Sequence, residues 1–264
     1  MRYAFVKSTL ERLLRDGILD KSTPVLAVAA AEAERALFLD LGFTNVTISN
    51  LDSRLRGDEF APFAWSFQDA QRLDLPDGAF DFVFVSDGLH HCDSPHRALL
   101  EMYRVARRGI LVFESRDNTL MRLANRLGLS PHFELEAVID DDFEFGGVNN
   151  TGIPNFIYRW TEREFEKTIQ SYNPTGKHVF RYFYGLNLPW TVAGMEKSRL
   201  KLRVLQFADF WLQLGTKLFK KQCNSFCLIT LKPRVPQDLW PWLEAPDSTI
   251  RFRRAFAEER FKVG

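Results

Sequence analysis

Residues 24–34, "PVLAVAAAEAE", pass directly from a run suited to a buried strand into a run suited to a helix. Val25 to Ala30 is apolar at every position, which fits a strand covered on both faces. Ala31 to Leu41 is rich in helix formers, and Gly42 supplies the stop. The same alternation continues downstream. Strand-length apolar runs recur at "VTIS" from Val46, "FDFVFVS" from Phe80 and "GILVFES" from Gly109. Between the last two lies "SPHRALLEMYRVA", with Ser94 as N-cap and Pro95 at the first helical position. Alternation of this kind predicts an α/β fold over the first 117 residues, with a doubly wound, mostly parallel sheet.

Upstream, Ser8 and Glu11 have the spacing of a capping box for a lead-in helix with Leu10, Leu13 and Leu14 on its apolar face and Gly17 at its end. The chain of 264 residues is 45% hydrophobic and 26% charged with a net charge of +1, so nothing in its balance points to nucleic acid. Its cysteines, Cys92, Cys223 and Cys227, form no C-x-x-C pair and predict free thiols in a reducing compartment. No stretch reads as a signal peptide or a membrane span, and the cytoplasm is the expected location.

Four segments follow from these patterns. Residues 1–117 carry the lead-in helix and the cofactor-binding half of the sheet. Residues 118–160 exceed the usual loop length and read as a lid or substrate-binding insertion. Residues 161–232 return to regular structure, with a second capping box at Thr161 and Glu164, strands from Lys177 and from Ser225, and a long helical pattern from Glu196 to Lys221. Residues 233–264 form a C-terminal appendage. The 196–221 pattern carries a wide apolar stripe with basic ends, which admits a core or homodimer face on one reading and peripheral contact with a membrane on the other.

In an open α/β sheet, ligands bind beyond the carboxyl ends of the parallel strands. The residues there are Ala29 to Ala33, then Asn50 and Asp52, then Asp69 and Ala70, then Ser86, Asp87, Gly88, His90 and His91. At the first turn a pyrophosphate would meet Glu32 and Glu34, whose carboxylates repel it, so NAD and nucleoside triphosphates are disfavoured. An adenosine cofactor with a cationic end and no phosphate suits those surroundings, and S-adenosylmethionine is one. Glu32 is placed to accept from its ammonium group.

The stretch Ser66–Glu114, "SFQDAQRLDLPDGAFDFVFVSDGLHHCDSPHRALLEMYRVARRGILVFE", resembles class I S-adenosylmethionine-dependent methyltransferases of the type 11 kind. The Asp-Ala step, the Leu-Pro turn, the "FD" strand start, the "LHH" after it and the "RV" before the next strand come in the family's order. The resemblance implies a Rossmann-like, seven-stranded sheet whose last strand is antiparallel. It implies that Asp69 accepts from the adenine amino group with the Ala70 backbone beside it, and that Ser86, Asp87 and Gly88 line the methionine end. It implies that Asn50 or Asp52 takes the ribose. The family's first turn has three glycines, and this chain has Ala29, Ala31 and Ala33 instead. An alanine held at positive φ costs about 1–2 kcal/mol, which weakens a site without abolishing it.

Methyl transfer to a hydroxyl needs an aligned nucleophile and a proton acceptor, and no metal is required in principle. His90 or His91 could be that base, or both could cap the strand end and pack the turn. The acidic run Asp140, Asp141, Asp142 and Glu144 reads either as a solvated face or as oxygen ligands for a cation. Asn149 and Asn150, with Tyr158 and Trp160, could hydrogen-bond and stack on a sugar, or form a plain loop before a capped helix; Glu114 and Arg116 are weaker candidates for acceptor contact. The stretch Gly147–Glu166, "GVNNTGIPNFIYRWTEREFE", is similar to methyltransferases associated with bacterial surface-polysaccharide assembly. These readings point to an O-methyltransferase acting on a carbohydrate or other small acceptor. The alternative is a methyltransferase-like domain without chemistry that serves as a binding or scaffolding partner, as the alanine turn and Asn50 would suit.

Overall fold

The computed structural model describes residues 2–186, 211, 214–216 and 218–261. The sheet has seven strands: β1 (Val25–Ala27), β2 (Val46–Asn50), β3 (Ala64–Phe67), β4 (Phe80–Ser86), β5 (Ala106–Ser115), β6 (Val179–Gly185) and β7 (Ser225–Leu231). Their order is β3-β2-β1-β4-β5-β7-β6. Strands β1 to β5 pair in parallel, and β7 runs antiparallel between β5 and β6. The order reverses between β1 and β4, which opens a crevice at their carboxyl ends.

Side-chain alternation builds two cores. On one face Phe82, Phe84, Leu111 and Phe113 meet helices α1 (Arg2–Arg15) and α2 (Glu32–Asp40) through Leu10, Leu13, Leu37 and Phe38. On the other, Val83, Val85, Ile110 and Val112 meet α3 (Pro95–Val105) through Leu99, Met102 and Tyr103. Helix α6 (Glu162–Tyr172), beyond two short lid helices, adds Phe165 and Ile169 to that second layer. The four residues Phe82 to Val85 are each 0% exposed, so the middle of β4 is wholly internal. Each such side chain stabilises the fold by about 1.5–3 kcal/mol on burial.

Most element boundaries follow the local chemistry that predicts them. Ser94 Oγ accepts from the Arg97 amide at the start of α3, and Thr161 and Glu164 cap α6 reciprocally. Gly17 and Gly42 stand at φ +68° and +73°, past the ends of α1 and α2. The lead-in helix differs. It begins at Arg2, and Ser8 lies inside it with Oγ donating to the Phe5 carbonyl at 3.1 Å. Val6 extends the buried stripe of Leu10 and Leu13 by a turn, and that packing outweighs the capping signal at Ser8. The 196–221 helical pattern falls mostly outside the described residues. No helix among the described residues is long and apolar enough to cross a membrane.

Between α3 and α6, residues 118–160 hold α4 (Thr119–Arg126) and α5 (Glu136–Ile139) within extended loops. The C-terminal stretch forms a two-stranded sheet, Leu243–Glu244 with Arg251–Phe252, and a helix at Arg254–Phe261.

Strand β1 is short because Ala29 stands at φ +48° and turns the chain. Its methyl group packs on Gly88, where a β-carbon would approach Ala29 Cβ to 2.6 Å and Val85 Cγ2 to 2.8 Å. The alanine that stands in place of a glycine in the first turn is therefore accommodated by a glycine in the turn after β4. We expect Ala29→Gly to raise stability by about 1 kcal/mol through relief of the left-handed strain. Gly88→Ala should cost about 1–3 kcal/mol by overpacking. In chemical unfolding the double substitution should recover part of the Gly88→Ala loss beyond the gain that Ala29→Gly gives alone, and strict additivity would contradict the contact.

Candidate active site

The crevice at the strand ends contains a cavity of about 210 Å³. Ala29, Gly88 and Ala70 give it a floor with no side chain longer than a methyl group. Asn50, Gln68 and Asp69 stand on its wall with Asp87, His91 and Cys92, and Gly146, Gly147, Asn149 and Asn150 of the lid border it as well. Ligand pockets usually span roughly 300–1,000 Å³. A nucleoside cofactor therefore needs the lid segment to yield outward. A larger hollow of about 740 Å³ between α1 and β6 shares no lining residue with this one.

The turn after β4 carries the histidines. Asp87, at φ +56°, reverses the chain, and residues Leu89–His91 form a single 3-10 turn. Glu114, at the end of β5 and 1% exposed, holds that turn with both oxygens. Its Oε1 accepts from the Leu89 amide at 2.8 Å, and its Oε2 lies 2.8 Å from His90 Nδ1. The other ring nitrogen of His90 faces Glu134 Oε2 at 3.2 Å, and His91 Nε2 is 3.4 Å from the same oxygen. Burial opposes charge on His90, but the two carboxylates outweigh it and hold its pKa up at about 9. Glu134, hydrogen-bonded to His90, falls to about 2 against its own desolvation. His91 is pushed below the ordinary histidine value by burial and by the charge on its neighbour. At neutral pH the pair thus divides into a charged, enclosed His90 and an uncharged His91 on the cavity wall.

Glu134 is absent from the residues that the sequence marks as functional. An isolated bridge between Phe133 and Phe156 fixes it: its amide donates to the Asn155 carbonyl at 3.0 Å, and Asn155 Nδ2 donates to its Oε2 at 3.2 Å. No local signal in the sequence marks Glu134 as the partner of a histidine 44 residues away.

Several expected contacts fall elsewhere. Glu32 is exposed and pairs with Arg35 Nη1 at 2.9 Å, because α2 starts at Glu32 and sets the two one turn apart. Glu34 instead takes the Ala31 amide at 2.9 Å, filling the helix N-terminus where a phosphate would bind. Ala31 is exposed and Ser86 half-buried, and neither lines the cavity. Asn50 does, though its amide bridges the Ala30 carbonyl and the Asp52 amide. Asp52 is buried behind it, held by the Arg54 guanidinium, which also grips Asp141 of the lid at 2.6 Å. Asp69 Oδ1 accepts from the Gln71 amide at 2.8 Å, which fixes the carboxylate at the rim.

Trp160 is fully buried and stacks on Phe165 with centroids 4.3 Å apart, so it offers no platform to a sugar. Tyr158 packs against it and hydrogen-bonds to Glu164, away from the cavity. Asn149 and Asn150 stand at φ +50° and +56°, a region their short amides tolerate. Asn149 is tied to Gln71 and Asp93, and Asn150 accepts from the Gly146 amide within the segment and donates to Asp52, so both fasten the lid. Arg116 is ion-paired with Glu162 at 2.8 Å. The Cys92 thiol on the cavity wall is raised to about 12 by burial, which keeps it protonated.

Residues 20–113 match the family described as "Methyltransferase domain". No curated protein matches the chain. Among solved structures, magnesium protoporphyrin IX methyltransferase from Synechocystis PCC 6803, determined with bound S-adenosylhomocysteine, is 13% identical. It aligns over 87% of this chain and 83% of its own with a TM-score of 0.50. A SAM-dependent methyltransferase from Archaeoglobus fulgidus is 14% identical over 86% and 94%, with a TM-score of 0.45. The first establishes the fold. Residues 20–113 are thus similar to a methyltransferase domain, the fold is the class I S-adenosylmethionine-dependent methyltransferase fold, and such a domain implies S-adenosylmethionine as cofactor. The flat alanine and glycine floor, the Asp69 rim and the filled helix N-terminus fit a nucleoside without phosphate.

The split between the histidines has a consequence for stability. The His90 pKa lies above the ordinary value of about 6.5, so its contribution is complete below that pH and is lost as pH rises through about 9. His91 acts oppositely and only on acidification, but Lys232, lowered to about 8 by burial, and the raised Cys92 thiol titrate in the alkaline window as well, so the His90 contribution is read as a difference between variants. We expect the difference in unfolding free energy between wild type and His90→Gln to shrink by on the order of 2–3 kcal/mol between about pH 6.5 and 9.5. A difference in urea unfolding that does not change with pH would contradict the assignment.

Proposed function

We propose that the protein transfers a methyl group from S-adenosylmethionine to a hydroxyl of a carbohydrate or other small polar acceptor, in the assembly of a surface polysaccharide. The observation that carries this reading is His91: an uncharged imidazole on the wall of the cofactor cavity, braced by Glu134. The cofactor supplies an electrophilic methyl on a sulfonium. The chain's task is to hold an acceptor oxygen in line behind it, exclude water and accept a proton.

His91 takes the hydroxyl proton, and the Glu134 carboxylate stabilises the imidazolium that forms. His90 is unsuited to that step, since it already carries a proton at neutral pH. Asp69 at the rim accepts from the adenine amino group, and Asn50 meets the ribose. Asp87 and Gly88 bound the methionine end. The lid excludes water, fastened through Arg54–Asp141 and Asn149–Asp93. The carbohydrate preference rests on the likeness of residues 147–166 to methyltransferases of polysaccharide assembly.

Calorimetric titration with S-adenosylmethionine and S-adenosylhomocysteine should give saturable binding that Asp69→Ala weakens and His91→Ala leaves unchanged. With nucleotide-sugar and oligosaccharide acceptors, His91→Ala should lower S-adenosylhomocysteine release by about 10²–10⁴-fold. Binding of neither ligand would support the non-catalytic binding domain instead. Full activity in His91→Ala would refute the base.

A further inference from the structure

Glu134 Oε2 lies 3.2 Å from His90 Nε2 and 3.4 Å from His91 Nε2. Charge-assisted N–H···O bonds close to about 2.7–2.9 Å, and His90 Nδ1 with Glu114 Oε2 does so at 2.8 Å. The two longer separations correspond instead to the edge of a coordination tetrahedron. With metal–ligand bonds of about 2.0–2.1 Å, ligand atoms stand about 3.3–3.4 Å apart. All three ligand atoms lie within 4.8 Å of one another.

The contacts behind these atoms fit as well. A ligating imidazole usually donates its other N–H to a carboxylate or a backbone carbonyl, which fixes the tautomer and aims the free nitrogen at the ion. His90 has Glu114 in that role, and Glu114 is itself anchored by the Leu89 amide. His91 has a hydrogen bond to the backbone of Gly147. Two adjacent histidines on one 3-10 turn thus present Nε2 to the same point, and the lid brings the third group to it.

We propose that His90 Nε2, His91 Nε2 and Glu134 Oε2 bind one divalent cation of the zinc class, with the fourth coordination position on the cavity side, where His91 stands. Two imidazole nitrogens and one carboxylate suit zinc, or cobalt as its spectroscopic substitute, and not calcium or magnesium, which take oxygen. Three protein ligands with one open position is the pattern of catalytic rather than structural zinc. The ion replaces the proton that His90 otherwise carries between two carboxylates. It would polarise an acceptor hydroxyl so that its proton passes to solvent water, His91 serving as ligand when the ion is bound and as base when it is not, so the site deepens the methyl-transfer reading and rests on it for its purpose. Because Glu134 belongs to the lid, the ion would also pin the lid to the turn after β4.

The test is titration of chelator-treated, full-length protein with cobalt(II) chloride near neutral pH. We expect saturable binding of one ion per chain, with the visible absorption of low-coordinate cobalt, reversed by zinc. His91→Ala and Glu134→Gln should each weaken it by about tenfold or more, and Glu114→Gln by about 10–100-fold. His132→Ala, at an exposed histidine outside the cluster, should leave it unchanged. Thermal unfolding of each variant checks folding, and Glu134→Gln, on a partly exposed lid residue, keeps the test decisive if the buried Glu114 variant does not fold. The absence of saturable binding, or binding indifferent to His91→Ala and Glu134→Gln, would overturn the proposal. Cofactor titration of the same sample separates the two readings. Cofactor binding without cobalt binding overturns the ion site alone, and cobalt binding without cofactor binding overturns methyl transfer and leaves the ion site standing.

Discussion

The carboxylate of Glu114 joins the end of β5 to the turn after β4, and the site depends on that join. Both oxygens are committed, one to the Leu89 amide and one to His90 Nδ1, in a place from which water is excluded. An unpaired carboxylate there would be costly, and removing one partner of such a buried pair generally costs about 3–5 kcal/mol. His90 therefore has to be present and charged, or bound to something else that carries positive charge. Its fixed ring sets the orientation of the 3-10 turn, and the next residue, His91, is carried onto the cavity wall. An enclosed histidine and one on the cavity wall thus follow from a single buried acid.

The lid closes over this arrangement through separate fastenings of different character. Glu134 reaches the histidines, Arg54 clamps Asp141 to Asp52, and Asn149 bridges Gln71 and Asp93. All three attach just beyond the ends of strands that border the cavity. The roof over the cavity comes from the same segment, at Gly146 to Asn150. The segment that covers the cavity is thus the one that carries the fastenings. The exposed members of these pairs stabilise it modestly, by about 0–1 kcal/mol each.

The sheet was legible because its signals are local. "FDFVFVS" alternates between two faces that the fold covers equally, and Ser94-Pro95 and Thr161 with Glu164 mark helix starts through bonds spanning three residues. The strand-end rule likewise picks out Asp69, Asp87, Gly88 and His91, which line the cavity. What escaped were matters of partnership across distance. Nothing local in Glu134 shows that it meets His90, nothing in Glu32 shows that Arg35 turns it away from the cavity, and nothing in Trp160 distinguishes a buried indole from a ligand platform. The alanine turn was legible only in part. Its strain was visible at Ala29, and its accommodation by Gly88 became visible only when the two turns were placed together.

The central claim is that the adjacent histidines hold opposite charge states at neutral pH. Nuclear magnetic resonance of protein carrying labelled imidazoles, freed of metal by chelation, reads this directly. The account predicts one histidine, identified by loss of its signals in His90→Gln, whose nitrogens stay protonated to about pH 9. It predicts that the His91 ring is already neutral at pH values where an ordinary histidine, with a pKa of about 6.5, would be half protonated. If His90 titrates near that ordinary value, or His91 is the ring that holds its proton, the division of labour between the two histidines is wrong.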